Sequence, residues 1–269
     1  MKYLYFALAL VVASCSSDGS QQLQRPTTAT PTVGFSIVNS YPKNKQLFTQ
    51  GLFFHDGNLY ESTGGPKGYG ELESKIGLVH LDSGTFTPLA GRPSSRYFGE
   101  GAIAWNSQFI QLTYKSKKVF YYDQLSGKLM DEKPLPSQEG WGMASKGDSL
   151  LFSDGTNTLY WVEPQDFTVT SQITVKEGRY AVDKLNELEW VGDTLFANIW
   201  QENRIVLIDP KGKVLGQLNL EALMLEEKES NPSARELNGI AYRPESNTLF
   251  VTGKYWSRYV EIRLKPEAV

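Results

Sequence analysis

The sequence predicts an all-β fold, a five-bladed β-propeller, and two observations lead to this prediction. A short strand-like segment recurs five times at intervals of roughly 40 to 50 residues, which is the period typical of blade repeats. Each copy continues into a polar turn, a second apolar run and a third run, as successive strands of one blade would. The five copies open at Gln50, Glu100, Trp141, Asn186 and Asn238, which we call the opening residues.

The fifth repeat has no segment for a fourth strand, because only a few residues follow its third run at residues 259–262. An unpaired strand edge is an aggregation hazard, so another segment is expected to cover it. The apolar stretch at residues 35–41 precedes the first repeat and has no partner of its own. We therefore predict that this stretch completes the fifth blade and closes the ring. Residues 218–229 are predicted to form a short surface helix between the fourth and fifth blades.

The N-terminus has the pattern of a secretory signal, with a basic start and an apolar run too short to span a membrane. The run ends in Val-Ala-Ser-Cys, which resembles a bacterial lipobox, and a chance cysteine beside an ordinary cleavage site is the alternative. The protein is then expected to be exported and lipid-anchored to the bacterial cell envelope, at the periplasmic face or the cell surface. The expected parts are a lipoprotein signal peptide at residues 1–14, an acylated Cys15 with a flexible tether at residues 15–33, and the propeller at residues 34–269.

Composition and residue types exclude several classes of function. The formal net charge of −3 leaves no basic surface for nucleic acid, so no nucleic-acid partner is expected. His55 and His80 have no partner at metal-ligand spacing, and Cys15 is the only cysteine, so neither a zinc site nor a Cys/His nucleophile is predicted. The chain also lacks a phosphate-binding glycine loop and a Gly-x-Ser-x-Gly motif. We expect a monomer without a catalytic metal.

The opening residues are the strongest candidates for a functional site. In a propeller the innermost strand of each blade lines the central channel, so equivalent positions on five blades converge at one end. One carboxylate, three amides and an indole suit a pocket with a few placed polar groups. Any one of these residues alone has an ordinary structural explanation, but five in register favour a site. The ends of the second strands add side chains at the same end: Tyr114, Lys115, Asp154, Asn198, Trp200, Lys254 and Trp256.

At these positions the chain resembles the glutamine cyclotransferases, the plant and bacterial type of glutaminyl-peptide cyclotransferase, which are five-bladed propellers. The similar stretches keep their order across nearly the whole domain, and jointly they are specific. They lie at residues 48–52, 60–64, 98–101, 111–115, 140–143, 153–156, 186–190, 197–200, 237–242 and 251–256.

The resemblance implies a reaction in which the α-amine of a peptide's N-terminal glutamine attacks its own side-chain carboxamide, giving pyroglutamate and ammonia. It also implies that no metal or organic cofactor is required. Carried over by position, Glu100 is the acid/base carboxylate, and Asn186 and Lys254 are polar groups around the reacting amide. Tyr114 stands where the family usually has tryptophan. The residues expected to bind substrate are Phe48, Gln50, Tyr114, Trp141, Trp200 and Asn238.

The chemistry of this reaction agrees with a single carboxylate in the ring. An α-amine has an ordinary pKa of about 8, so a strong base is unnecessary. The harder step is the departure of the side-chain amide nitrogen, which must be protonated before it leaves. Glu100 can take the proton from the attacking nitrogen and give it to the leaving one, and nearby indoles should raise its pKa. Lys254 would oppose that rise, so we assign it, with Asn186, to the oxygen that becomes negative.

Two other functions stay open at this point. A propeller can bind a peptide or glycan without turning it over, so a non-catalytic, lipid-anchored binding protein is one alternative. A lactonase or glycosidase is another, and Glu187 and Asp154 are the side chains that would serve it, since these reactions need a metal cage or a carboxylate pair. Whether the channel holds a structural calcium ion is left open by the sequence.

Overall fold

The computed structural model describes residues 30–65, 74–92 and 94–265, which form five four-stranded antiparallel sheets around a central channel. The five-bladed propeller predicted from the repeats is therefore confirmed. The expected signal peptide, Cys15 and nearly all of the expected tether lie outside the described residues. Within the described ranges, no helix is long and apolar enough to cross a membrane.

Four of the blades are built from consecutive strands, and the fifth takes one strand from the N-terminal part of the chain. The first strand, β1 (Phe35–Pro42), belongs to blade 5. Blade 1 contains β2 (Thr49–His55), β3 (Asn58–Thr63), β4 (Lys75–His80) and β5 (Thr85–Gly91). Blade 2 contains β6 (Gly99–Trp105), β7 (Gln108–Thr113), β8 (Lys118–Asp123) and β9 (Leu129–Pro134). Blade 3 contains β10 (Met143–Lys146), β11 (Ser149–Ser153), β12 (Thr158–Val162) and β13 (Val169–Thr174).

A short ribbon of β14 (Lys176–Glu177) and β15 (Tyr180–Ala181) follows blade 3. Blade 4 contains β16 (Leu185–Val191), β17 (Thr194–Ile199), β18 (Arg204–Ile208) and β19 (Val214–Asn219). One helix, α1 (Glu221–Ser230), leads to the remaining strands of blade 5, which are β20 (Leu237–Arg243), β21 (Thr248–Gly253) and β22 (Arg258–Leu264).

The N-terminal strand closes blade 5, as predicted. β1 pairs antiparallel with β22, in a register that begins with Phe35 opposite Leu264. Just before β1, the Val33 amide donates to the Gln217 carbonyl of β19 at 2.8 Å, and the Val33 side chain is buried. Val33 was assigned to the tether. The folded part of the chain therefore begins slightly before residue 34, because an apolar side chain there packs on the edge of blade 4.

The hairpin turns have the backbone geometry that their residues suggest. Asp56 and Gly57 both have positive φ, 48° and 73°, in the turn between β2 and β3. This geometry matches the right-handed twist of the flanking strands, and it favours Asp-Gly and Asn-Gly sequences. Gly147 and Gly192 adopt positive φ in the corresponding turns of blades 3 and 4. These turns set the register in which each inner strand meets its neighbour.

Aromatic side chains fill the spaces between neighbouring blades. Trp161 of blade 3 stacks on Trp190 of blade 4, with ring centroids 5.9 Å apart. Phe54 of blade 1 meets Phe250 of blade 5 edge to face, with centroids 5.2 Å apart. Such pairs add about 0.5–1.5 kcal/mol beyond the burial of their apolar area. The blades are thus held face to face along the ring.

The predicted surface helix is confirmed as α1, and one of its acidic residues is fully buried. Glu227 accepts hydrogen bonds from the Ser257 amide at 2.6 Å, the Ser257 hydroxyl at 3.0 Å and the Asn231 side chain at 3.0 Å. Ser257 lies in the loop between β21 and β22. The helix is therefore fixed to blade 5.

A fully buried ion pair lies where the two ends of the ring meet. Lys43, which follows β1, and Glu61 of β3 are 3.4 Å apart, and both side chains have no exposed surface. Glu61 also accepts hydrogen bonds from Thr49 at 2.7 Å and from Tyr259 of β22 at 2.5 Å. Burial lowers the pKa of Lys43, and the Glu61 charge raises it again. The pair joins blade 1 to the two strands that close blade 5.

Two carboxyl groups of β16 brace the inner strands. Glu187 accepts a hydrogen bond from the Leu52 amide of blade 1 at 3.2 Å and another from the Ile240 amide of blade 5 at 2.8 Å. Glu189 accepts from the Tyr242 amide at 3.2 Å. Burial raises the pKa of Glu187 well above its ordinary value and that of Glu189 to about 8. These groups satisfy backbone amides on the edges of inner strands, so their role is structural.

We expect Glu61→Gln to lower the free energy of unfolding by about 3–5 kcal/mol, because it leaves the buried Lys43 ammonium without a counter-charge. Combining Lys43→Met with Glu61→Leu should recover part of that loss, since neither charge is then buried. Urea unfolding measures both effects. Asp193→Asn, which removes an exposed partner of Lys146, is the control and should have a much smaller effect. Equal losses for Glu61→Gln and Asp193→Asn would contradict this interpretation.

The raised pKa of Glu189 predicts a pH dependence of stability. The folded state holds this proton more tightly than the unfolded chain, so the stabilisation is complete below the ordinary pKa and is lost as the pH rises through about 8. We expect Glu189→Gln to reduce the fall in the free energy of unfolding between about pH 5 and about pH 9. Glu229→Gln, at an exposed position of α1, is the matched control. The same fall in both variants and the parent protein would rule out this role.

Candidate active site

Hydrogen bonds join all five blades at the end of the ring where the opening residues lie. Each bond connects an opening residue or its immediate neighbour to the next blade, so the predicted convergence of the five segments is confirmed. The bonds run from Ser62 Oγ to the Glu100 carbonyl (2.5 Å), from the Gly101 amide to the Trp141 carbonyl (2.7 Å), from Ser153 Oγ to the Asn186 carbonyl (2.7 Å), from the Gly239 amide to Asn198 Oδ1 (3.0 Å) and from Asn238 Nδ2 to the Thr49 carbonyl (3.0 Å).

Four of the opening residues lie in β-bulges. The register between the first and second strands of a blade shifts where β2, β6, β16 and β20 begin. A bulge interrupts the ladder locally and re-aims the side chain that it contains. The residues released from regular pairing in this way are Gln50, Glu100, Asn186 and Asn238.

The close approach of neighbouring blades depends on glycine next to the opening residues. A Cβ atom on Gly101 would lie 2.6 Å from the Trp141 carbonyl oxygen, and one on Gly142 would lie 2.1 Å from the Asn186 carbonyl oxygen. A side chain at either position would push the blades apart and break the hydrogen bonds between them. This requirement explains the glycine-centred segments of the sequence repeat.

Glu100 is a buried carboxyl group without a hydrogen-bond partner among the described residues. Its exposed fraction is 5 %. Burial raises the pKa of this carboxyl well above its ordinary value, the Lys254 ammonium lowers it, and the Glu139 carboxylate raises it further. Burial therefore outweighs the neighbouring cation. A carboxyl with a raised pKa can both accept and donate a proton, as general acid-base catalysis requires.

Lys254 lies in blade 5, in the loop that follows β21, and its exposed fraction is also 5 %. Its Nζ atom is 4.8 Å from the centroid of the Phe48 ring, which is a cation–π contact. Burial lowers the pKa of Lys254, and the charge of Glu100 raises it. The two groups interact electrostatically, but in the described part of the chain Lys254 makes no salt bridge. Its charge thus remains available to a bound group.

Aromatic rings of the expected site residues form two clusters. On one side Phe48 meets Phe98 and Tyr255, with ring centroids 6.1 Å and 5.1 Å apart, and Phe98 also meets Tyr114 at 6.1 Å. On the other side Trp141 of blade 3 and Trp200 of blade 4 meet edge to face at 5.7 Å. The four aromatic residues expected to bind substrate thus fall into two groups. Phe98 and Tyr255 were not predicted.

Glu139 is a further residue that the sequence analysis missed. Its carboxylate accepts a hydrogen bond from Trp141 Nε1 at 2.9 Å and pairs with Lys115 at 3.3 Å. The Lys115 ammonium in turn lies 4.6 Å from the centroid of the Tyr114 ring. Glu139 therefore fixes the indole of Trp141 and contributes to the electrostatic field at Glu100. Its only sequence signal is a position two residues before an opening residue.

The amide side chains of the ring are only partly satisfied. Asn238 Nδ2 donates to Gln50 Oε1 at 3.2 Å, which joins two of the expected binding residues. The Oδ1 atoms of Asn186 and Asn238 and the Nδ2 atom of Asn198 are buried without a hydrogen bond among the described residues. Among the described residues, no hydrogen bond joins the Asn186 side chain to Glu100 or Lys254. Each orphan atom costs about 1–3 kcal/mol, and such costs concentrate at sites that bind water or substrate.

The two carboxylates named for a lactonase or glycosidase, Glu187 and Asp154, have structural partners. Glu187 braces three blades through backbone amides, as described above. Asp154 accepts hydrogen bonds from the Thr156 amide at 3.1 Å and the Tyr160 hydroxyl at 3.0 Å, so it closes its own turn. Over the described ranges, no group of three or more His, Cys, Asp or Glu side chains is arranged to hold a metal ion.

The chain is similar to known proteins over most of its length. The family model described as glutamine cyclotransferase matches residues 6–264. The chain is 36 % identical over 234 residues to a glutaminyl-peptide cyclotransferase of Arabidopsis thaliana, with 85 % of this chain and 71 % of the relative covered. The crystal structure of the Myxococcus xanthus glutaminyl cyclase is similar at a TM-score of 0.76 and 32 % identity, covering 87 % of this chain and 98 % of that one. The chain belongs to the glutamine cyclotransferase family.

Proposed function

We propose that this protein is a glutaminyl-peptide cyclotransferase, an acyltransferase that converts the N-terminal glutamine of peptides to pyroglutamate with release of ammonia. Membership of the family supports this function. The structural observation that carries it is the burial of Glu100, with a raised pKa, at the converging end of the five blades and within the field of Lys254. The substrates are therefore peptides or proteins that begin with glutamine.

The reaction needs one proton to move between two nitrogen atoms. A bond forms between the α-amine nitrogen and the side-chain carbonyl carbon, and the bond from that carbon to the amide nitrogen breaks. The attacking nitrogen must lose a proton, and the leaving nitrogen must gain one before it departs as ammonia. We assign this transfer to Glu100. Its raised pKa suits a group that acts first as a base and then as an acid.

The carbonyl oxygen becomes negative as the ring closes, and we assign its stabilisation to Lys254 and Asn186. Lys254 has no salt-bridge partner in the described residues, so its charge is not neutralised in advance. Asn186 lies in the same bulge position of its blade as Glu100, and no hydrogen bond from its Nδ2 group is found among the described residues. Donors held in place before the reaction stabilise such charge without reorganisation. The proposed mechanism uses no metal or organic cofactor.

The remaining residues position the glutamine. Nucleophile and electrophile belong to one residue, so the pocket needs only to fold that residue back on itself. Such orientation is worth on the order of 7–11 kcal/mol. The side chains assigned to this task are Phe48, Gln50, Tyr114, Trp141, Trp200 and Asn238.

Ammonia release from a peptide that begins with glutamine tests the proposed function. We expect release from the parent protein and none from the same peptide with an acetylated α-amine, because the nucleophile is then blocked. Glu100→Gln should bind the peptide but lower kcat by on the order of a hundredfold or more. Its urea unfolding curve serves as the check on folding. Binding without ammonia release by the parent protein would favour a non-catalytic binding protein, and near-normal turnover by Glu100→Gln would remove Glu100 from its role.

Lys254→Met should lower kcat more than it raises KM, because the ammonium is assigned to charge that develops only in the transition state. It also removes a cation that lowers the pKa of Glu100. The acidic limb of the pH profile of kcat/KM should therefore move to higher pH. Lys254→Arg keeps the charge and should leave that limb nearer its original position. A change in KM alone, with an unshifted limb, would argue that Lys254 only docks the peptide.

We also propose that the protein is exported and anchored by a lipid on Cys15. The support comes from the sequence alone, through the short apolar run and the cysteine that ends it. Cells grown with a labelled fatty acid should yield labelled protein, and the mass of the mature N-terminal peptide should match an acylated Cys15. Cys15→Ser should remove the label. An unlabelled parent protein, or a mature terminus elsewhere, would contradict the anchor.

A further inference from the structure

A cleft with a volume of about 500 Å³ opens beside the proposed active site, at the same end of the ring. It lies between the segment before β2, the end of α1 with the residues that follow it, and the loop after β21. Three cationic side chains line it: Lys45, Lys228 and Arg235. The Tyr255 ring forms part of its wall.

The charged side chains that line this cleft are all positive. Among the described residues that line it there is no carboxylate, and its three cations make no salt bridge there. The Arg235 guanidinium lies 5.9 Å from the centroid of the Tyr255 ring, so it is held toward the wall of the cleft. The protein as a whole has a net charge of −3, and a local group of unpaired cations therefore stands out. A concave surface with one sign of charge attracts ligands of the opposite sign.

The cleft and the active site share an aromatic wall. The Tyr255 ring lies 5.1 Å from the Phe48 ring, and the Phe48 ring lies 4.8 Å from Lys254 Nζ. A peptide whose first residue is enclosed beside Glu100 must leave the pocket along one of its walls. Extended peptide advances about 3.3 Å per residue, so a chain passing over Phe48 and Tyr255 would enter the cleft within about four residues.

The wall of the cleft is fixed before any ligand binds. Tyr255 has a φ of 61°, in the left-handed region that a bulky residue rarely adopts. Its amide donates to the Leu47 carbonyl at 2.9 Å, and its carbonyl accepts from Asn231 Nδ2 at 2.7 Å. The Arg235 amide donates to the Lys254 carbonyl at 2.8 Å. Tyr255 is thus held in a strained conformation by hydrogen bonds from both sides. It follows Lys254 directly in the chain, so the wall of the cleft is continuous with the proposed active site.

We propose that this cleft is a subsite for acidic side chains of the substrate peptide, at positions within about four residues after the N-terminal glutamine. The proposal rests on the proposed function and extends it to the choice of substrate. Arg235 presents a planar pair of donors that suits a carboxylate, and Lys45 and Lys228 add charge around it. Peptides with Asp or Glu in this stretch are then preferred over neutral or basic ones.

Pairs of glutamine peptides that differ only by Glu or Gln at one of the four residues after the N-terminal glutamine test this subsite. For the parent protein, kcat/KM should be at least about threefold higher for the acidic peptides, mainly through KM, and the ratio should fall as salt is added. Arg235→Gln and Lys228→Gln should each lower the ratio. Arg235→Glu should favour peptides with Lys at these positions. Lys211→Gln, at an exposed position between β18 and β19, is the matched control and should leave the ratio unchanged.

Different results would overturn the acidic subsite and the cyclotransferase function. Ammonia release from all peptides with the same kcat/KM would overturn the subsite and leave the cyclotransferase function intact. A preference for acidic peptides that survives in Arg235→Gln, Lys228→Gln and Arg235→Glu would place their recognition elsewhere and would also overturn the subsite. No ammonia from any peptide would overturn the proposed function and the subsite with it.

Discussion

The hydrogen bonds that join neighbouring blades at one end of the ring are the constraint on which the rest of the structure depends. Each bond uses a backbone group of an opening residue or its neighbour, so the same contact that holds two blades together also fixes a side chain at the site. The bulges release those side chains from the regular ladder. Glu100 is held in this way between Ser62 of blade 1 and Trp141 of blade 3.

Two buried pairs of acidic and basic side chains differ in whether their members are in contact. Lys43 and Glu61 are in contact, and further hydrogen bonds complete their environment, so they act as a structural link between the ends of the ring. Glu100 and Lys254 are equally buried but not paired. Keeping them apart lowers stability, because neither charge is compensated by contact. The separation also leaves both groups free to interact with a substrate amide. Catalytic sites commonly lose some folding stability in this way in return for activity.

The sequence predicts the parts of this architecture that repeat or that have a local cause. The five opening segments predict the blades, and the unpaired edge after the third run of the last repeat predicts its pairing with β1. Equivalent positions in the repeat predict that Glu100 and Asn186 share one end. The bulges, and the role of Glu139 at Trp141, follow from contacts between distant segments, which spacing along the chain does not reveal. The contact between Val33 and Gln217 also joins distant segments, because Gln217 lies in another blade.

A crystal structure of the Glu100→Gln protein with a glutamine peptide bound tests the central claim most directly. We predict that the glutamine side chain lies between residue 100 and Lys254, enclosed by the rings of Phe48, Trp141 and Trp200. Its α-amine should lie within about 3.5 Å of its own side-chain carbonyl carbon, as ring closure requires. A peptide bound on the outer surface of the blades, or one whose first residue stays away from Lys254, would contradict the account.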